Sequence, residues 1–235
     1  SFEGCSSLNN ITFPNIYKIE KYSFAKCDSI TQLNIPSVCE IGEMAFYGCK
    51  NLFNVDLKNC SVIDSYAFYE CIKLSFIYLP KLIQLGQGAF ASTSLFEVEL
   101  NSVLDFNRDN DYEGGHFANC SKLTRISMKS ITYIPDLMFE NCHNLAYVDT
   151  PNITKIGIKA FTKCNSLNNI SFPKIVLIDD SAFEDALGIT EIKLPTVKTI
   201  SQCAFRQCIN LVIIDFKKCK RIDDNAFENC YQLSS

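Results

Sequence analysis

The chain has no tryptophan, two histidines and three methionines in 235 residues. So few imidazoles leave little for acid–base chemistry. A Ser-His-Asp or Cys-His arrangement would have to use His116, beside Phe117, or His143, after Cys142, and neither has a supporting motif around it. G-x-S-x-G, the phosphate-binding loop and the dinucleotide-binding G-x-G-x-x-G are all absent. Charge of one sign is lacking too. Twenty-two basic and 26 acidic side chains give a formal net charge of −4 without long runs, which excludes the clustered basic face that nucleic acid requires. No apolar run approaches the ~20 residues of a membrane span; the longest, such as Leu211-Val212-Ile213-Ile214, are strand-sized. The expectation is a chain that is not an enzyme and takes no cofactor.

What the sequence does have is phenylalanine in register: Phe2, Phe24, Phe46, Phe68, Phe90, Phe117, Phe139, Phe161, Phe183, Phe205 and Phe227. Nine of the ten intervals are 22 residues, and the exception, Phe90 to Phe117, is 27. Six residues after most of these stands an aliphatic, among them Leu52, Leu74, Leu145 and Ile189. Period-2 alternation follows, as in Leu74-Ser75-Phe76-Ile77-Tyr78-Leu79, the mark of a short strand with one buried face. Proline then closes many units (Pro14, Pro36, Pro80, Pro151, Pro173, Pro195), suiting the point where a strand leaves its ladder. A second aliphatic pair, such as Val38 and Ile41, precedes the next Ala-Phe.

A 22-residue unit cannot bury its own apolar residues, so each coil must cover its neighbour. The columns therefore predict a β-rich repeat solenoid of about ten coils over residues 1–235, with parallel strands ~4.8 Å apart on a concave face. The segment Gly42–Phe46 is too short for a full helix, so a helical or 3-10 turn is expected there. No polar capping unit stands at either end, which predicts a fragment of a longer array or end-to-end contacts with another chain.

These columns resemble the BspA-like leucine-rich-repeat family, whose unit is I-x-x-x-A-F-x-x-C-x-x-L-x-x-I-x-L-P. The copy from Ile41 to Lys58 follows it closely, with Val55 in the Ile column and Lys58 in the Pro column. The copy from Ile156 to Pro173 keeps Ala160, Phe161, Cys164, Leu167, Ile170 and Pro173. The resemblance covers the whole chain. It implies a non-catalytic protein-binding or adhesion scaffold at the cell surface or secreted, with a protein or glycan ligand on the concave face. The competing expectation is an intracellular assembly subunit that uses the same face for a permanent partner. A glycan on Asn10 or Asn152, two of five N-x-[S/T] sequons, would favour the surface reading.

Nine of thirteen cysteines share one column: Cys5, Cys27, Cys49, Cys71, Cys120, Cys142, Cys164, Cys208 and Cys230. The same column holds Thr93 and Ala186, so it reads as a buried position of limited volume. Stacked coils project these thiols in parallel, which is unfavourable for disulfide geometry. Cys60 and Cys219 replace an aliphatic, whereas Cys39 and Cys203 are expected to be more exposed.

Two places stand out as candidate sites. Outward positions of the central strands carry Phe76, Tyr78, Glu97, Glu99, Arg125, Tyr147 and Asp149, aromatics amid charges, as at interface hot spots. Between Phe90 and Phe117 the repeat loses one residue before Leu95 and gains six within 107–115. Asp105, Asn107, Asp109, Asp111 and Glu113 place an oxygen ligand at every second residue there, a calcium-loop spacing. Asn110 stands where an EF-hand needs glycine and His116 where it needs glutamate. The stretch reads first as a solvated acidic loop and second as a calcium site.

Overall fold

The structure, a computed structural model, describes residues 1–107, 114–168 and 170–234. Each coil contributes two short strands, one to each of two rows. The first row comprises Asn10–Thr12, Gln32–Asn34, Asn54–Asp56, Phe76–Tyr78, Glu97–Glu99, Arg125–Ser127, Tyr147–Asp149, Ile170–Ser171, Glu191–Lys193 and Ile213–Asp215. The second comprises Lys18–Ile19, Glu40–Ile41, Val62–Ile63, Gln84–Gly86, Asp105–Asn107, Tyr133–Ile134, Lys155–Ile156, Leu177–Ile178, Thr199–Ile200 and Arg221–Ile222. Pairing is parallel and joins equivalent residues of successive coils: Val55 opposes Ile77, Ile19 opposes Ile41 and Ile178 opposes Ile200. The chain is thus a leucine-rich-repeat type of parallel β-solenoid.

Alternation decides which face each side chain takes. In Asn54-Val55-Asp56 and Glu97-Val98-Glu99 the central aliphatic is buried and its neighbours are exposed, as the pleat requires. In the second row the second strand residue points inward: Ile41, Ile63, Ile134 and Ile200 are all buried.

The third side of each coil carries the Ala-Phe motif, and no helix forms there among the described residues. The expected helical or 3-10 turn is instead a run of tight turns containing two left-handed residues four apart. Examples are Met44 (φ 52°) with Gly48 (φ 69°), and Tyr66 (φ 56°) with Glu70 (φ 58°). Hydrogen bonding gives the reason. The N–H groups of Met44, Phe46 and Gly48 leave the coil and donate to the carbonyls of Ser65, Ala67 and Tyr69 in the next one, at 3.0, 2.8 and 2.8 Å. The intervening Ala45, Tyr47 and Cys49 close turns onto Gly42, Met44 and Phe46. A helix would consume every one of these donors internally and leave the neighbouring coil unsatisfied.

The core runs the length of the stack. The eleven column phenylalanines lie ring on ring, with centroids 5.1 Å (Phe183–Phe205) to 5.9 Å (Phe117–Phe139) apart. The widest step falls where His116 and Met138 replace the small Ala of other coils. Such pairs contribute roughly 0.5–1.5 kcal/mol each beyond the area they bury.

The strand rows are interrupted at two places of interest. In the first row, Phe76–Tyr78 ends a four-stranded sheet and Glu97–Glu99 begins a three-stranded one. This is where the repeat loses a residue before Leu95. In the second row, Asp105–Asn107 ends one five-stranded sheet and Tyr133–Ile134 begins another, across the insertion.

Candidate functional site

The outer face of the first row presents most of the expected residues. Phe76 and Tyr78 are 56% and 50% exposed, and Glu97, Glu99 and Arg125 are exposed as well. Because no ladder ties Phe76–Tyr78 to Glu97–Glu99, a groove of about 420 Å³ opens along the seam. Phe76 and Tyr78 line it on one side, Glu97 and Glu99 on the other, and Asn101 and Ser102 continue it past the strand ends.

Arg125, Tyr147 and Asp149 take a different arrangement. In the ladder Arg125 stands between Glu97 and Tyr147. Its guanidinium lies over the Tyr147 ring, 4.2 Å from the centroid, a cation–π contact. Asp149 is partly buried, 3.6 Å from the Lys129 ammonium, and accepts a hydrogen bond from Ser127 at 3.3 Å. Ser127, at an outward strand position, is itself buried, and its one hydroxyl proton is shared between Asp149 and Asn101 Oδ1, the latter at 2.9 Å. The seven residues thus divide into an open groove and a set of side chains already partnered.

Two exposed aromatics were not singled out from the sequence. Phe53 and Phe96 are 56% and 52% exposed, each in the position immediately before a first-row strand. Elsewhere that column holds Asn9, Thr31, Ser75, Thr124, Ala146, Thr190 and Val212. An aromatic in a column otherwise of small or polar residues was the available signal.

Of the oxygen-rich stretch, Asp105 is exposed at the start of Asp105–Asn107, which pairs with Gln84–Gly86. Asp109, Asp111, Glu113 and the Asn107 side chain lie outside the described residues. Among the described residues no group of three or more His, Cys, Asp or Glu is placed to hold a metal ion.

The cysteine column is a hydrogen-bonding column. Cys49, Cys71, Cys142, Cys164 and Cys208 each donate their thiol to the carbonyl of the phenylalanine 25 residues earlier, at 3.1–3.2 Å. That carbonyl also accepts the N–H of the cysteine in its own coil, as Phe24 does from Cys27 at 3.2 Å, so both lone pairs are used. Burial pushes the Cys49 thiol up to about 12 and the Cys120 thiol to about 11, and drives Cys71 and Cys142 well above the ordinary thiol range. Such thiols are neither nucleophiles nor metal ligands at neutral pH. Cys203 is buried as well, contrary to the expectation for it; the next coil lies over it, with Asp224 accepting its N–H at 3.2 Å. His116 is buried with its ring edge against Phe106, centroids 4.9 Å apart. His143 is exposed, with Nδ1 3.0 Å from the Lys163 carbonyl oxygen.

Among the described residues no helix is long and apolar enough to cross a membrane. A family model described as the BspA type leucine rich repeat region matches in six copies, over residues 1–112, 63–168 and 132–235. A leucine-rich repeat protein from Bacteroides ovatus has a similar fold, with a TM-score of 0.58 and 21% identity over 96% of this chain and 73% of that one. The leucine-rich repeat protein of T. pallidum aligns with a TM-score of 0.52 and 23% identity, over 92% of this chain and 82% of that one. At these identities the likeness is one of fold. No curated protein sequence matches the chain.

Proposed function

Because the chain belongs to the BspA type leucine-rich-repeat family, we propose that it is a non-catalytic adhesion scaffold. In this reading it acts at the cell surface or after secretion and holds a protein ligand against the outer, concave face of its first strand row. The observation that carries this reading is the exposure, in neighbouring coils, of Phe53, Phe76, Tyr78 and Phe96, each at least half exposed. Exposed apolar surface rimmed by charge is what interaction sites present, and aromatics with arginine supply most of the binding energy where partners meet. Buried, protonated thiols support the non-catalytic half of the proposal.

The test is adhesion of beads coated with the protein to epithelial monolayers, compared with albumin-coated beads. Wild-type beads should adhere, and the triple variant Tyr78→Ala, Arg125→Ala, Tyr147→Ala should lose more than about 2 kcal/mol of binding, roughly thirtyfold. Adhesion no better than that of albumin overturns the scaffold reading. Full adhesion by the triple variant moves the contact away from this face.

A further inference from the structure

Resting on the scaffold reading, we infer that the seam between Phe76–Tyr78 and Glu97–Glu99 is a slot for a basic side chain, arginine or lysine, carried on an extended segment of the protein partner. The slot has two walls of different chemistry. Phe76 and Tyr78, outward on one strand, offer aromatic faces. Glu97 and Glu99, outward on the next, offer two carboxylates carried on backbone positions about 7 Å apart, the spacing of alternate strand residues. A side chain with an apolar stem and a cationic end satisfies both walls at once: the stem covers the rings and the charge reaches the carboxylates.

Charge on the face selects this occupant. The outward positions of the five first-row strands from Asn54 to Asp149 carry Asp56, Glu97, Glu99 and Asp149 against the single cation Arg125. Arg125 is opposite Glu97 in the ladder, yet it lies on the Tyr147 ring instead. Asp149 has Lys129. Among the described residues no ion pair reaches Glu97 or Glu99. Two like charges held side by side on one strand repel each other, and a partner cation relieves that repulsion on binding. Elsewhere in the chain a cation already lies beside a half-buried aromatic: Lys26 is 5.7 Å above the Tyr47 ring. An acidic ligand would meet Glu97 and Glu99 as repulsion, and a neutral sugar would leave both carboxylates unanswered.

The experiment is selection of phage-displayed random dodecapeptides on the wild-type protein, followed by fluorescence-polarisation titration of the peptides recovered. Recovered peptides should share an arginine or lysine, and replacing that residue with glutamine should weaken binding at least about tenfold. The protein variant Glu97→Gln, Glu99→Gln should weaken it as much, with Phe76→Ala also weakening it and Glu191→Gln leaving it unchanged. Phe76, Glu97 and Glu99 are exposed, so thermal melting of their variants should match the parent. Peptides without a basic residue, binding indifferent to the double glutamine variant, or no recovered peptide at all overturns the slot. The bead assay keeps the two proposals apart: a glutamine variant that adheres like the parent removes the slot and leaves the scaffold, whereas wild-type beads that do not adhere remove the scaffold itself.

Discussion

Cys49 Sγ donates to the carbonyl oxygen of Phe24 at 3.1 Å, across the boundary between two coils. The donor comes from the end of one turn and the acceptor from the ring column of the coil before it, so the contact exists only when both coils are folded and in register. The same geometry recurs at Cys71 and Phe46, Cys142 and Phe117, and Cys208 and Phe183. Where Thr93 takes the column, its hydroxyl donates to Phe90 at 2.8 Å and meets Cys120 Sγ at 3.3 Å.

Thiol labelling should therefore divide the cysteines in two. Cys5 is exposed and Cys39, Cys219 and Cys230 are half-buried, while the other nine are buried. Titration of the native protein with a chromogenic disulfide reagent should give a fast phase of four thiols, and all thirteen after denaturation. Fast labelling of Cys71 or Cys142, mapped by mass spectrometry, would show that the column breathes far more than its packing implies.

The raised thiols also set an alkaline limit on stability. In the unfolded chain they ionise near 9, but in the folded chain Cys120 does so only near 11 and Cys49 and Cys60 near 12. Between those values the unfolded state has released protons that the folded state keeps, so raising the pH favours unfolding. Full stability should hold below pH 9 and fall above it by up to about 1.4 kcal/mol per pH unit for each buried thiol. Urea titrations at pH 8, 9 and 10 measure the slope, and Cys49→Ala, Cys71→Ala should flatten it; an unchanged slope in that variant would assign the effect to other groups.

The left-handed turn positions yield a prediction of opposite sign. Gln207 has φ 63°, and its N–H donates to the Glu228 carbonyl at 2.8 Å. Glycine keeps that donor and removes the strain of a Cβ in this conformation, as Gly48 does in its own coil. Gln207→Gly should stabilise by about 1 kcal/mol, and Gln207→Val should destabilise by more than that, because branching at Cβ crowds a left-handed backbone. Chemical denaturation of the two variants gives the order; valine equal to glycine would refute the assigned conformation.

How much of this could be read in advance follows from what a repeat exposes. A column shared by ten coils shows its burial through the residues it tolerates, so the strand registers, the phenylalanine core and the small-residue character of the Cys column were all legible. The thiol's role as a donor was not, because Cys, Thr and Ala also share small volume. The turns were misread as helix-like because Leu137 and Tyr66 give no hint of left-handed backbone individually. The clue was collective: none of the residues at these turn positions is Val, Ile or Thr. The groove was legible in its residues but not in its shape. Losing one residue before Leu95 parts two sheets, a consequence of ladder geometry that no single side chain announces. Phe53 and Phe96 escaped notice because attention to strand alternation passes over the residue just before the strand.

Phe90 and Phe117 are 27 residues apart in sequence, yet their rings stack at 5.6 Å and Phe90 donates its N–H to the His116 carbonyl at 3.0 Å. The ring column is blind to the length of chain between its members. Coils hang on it like shelves on a common post, and the post runs on through the coil at which both strand rows break. A coil's rim can thus change length at the cost of a strand ladder while the ring column stays continuous.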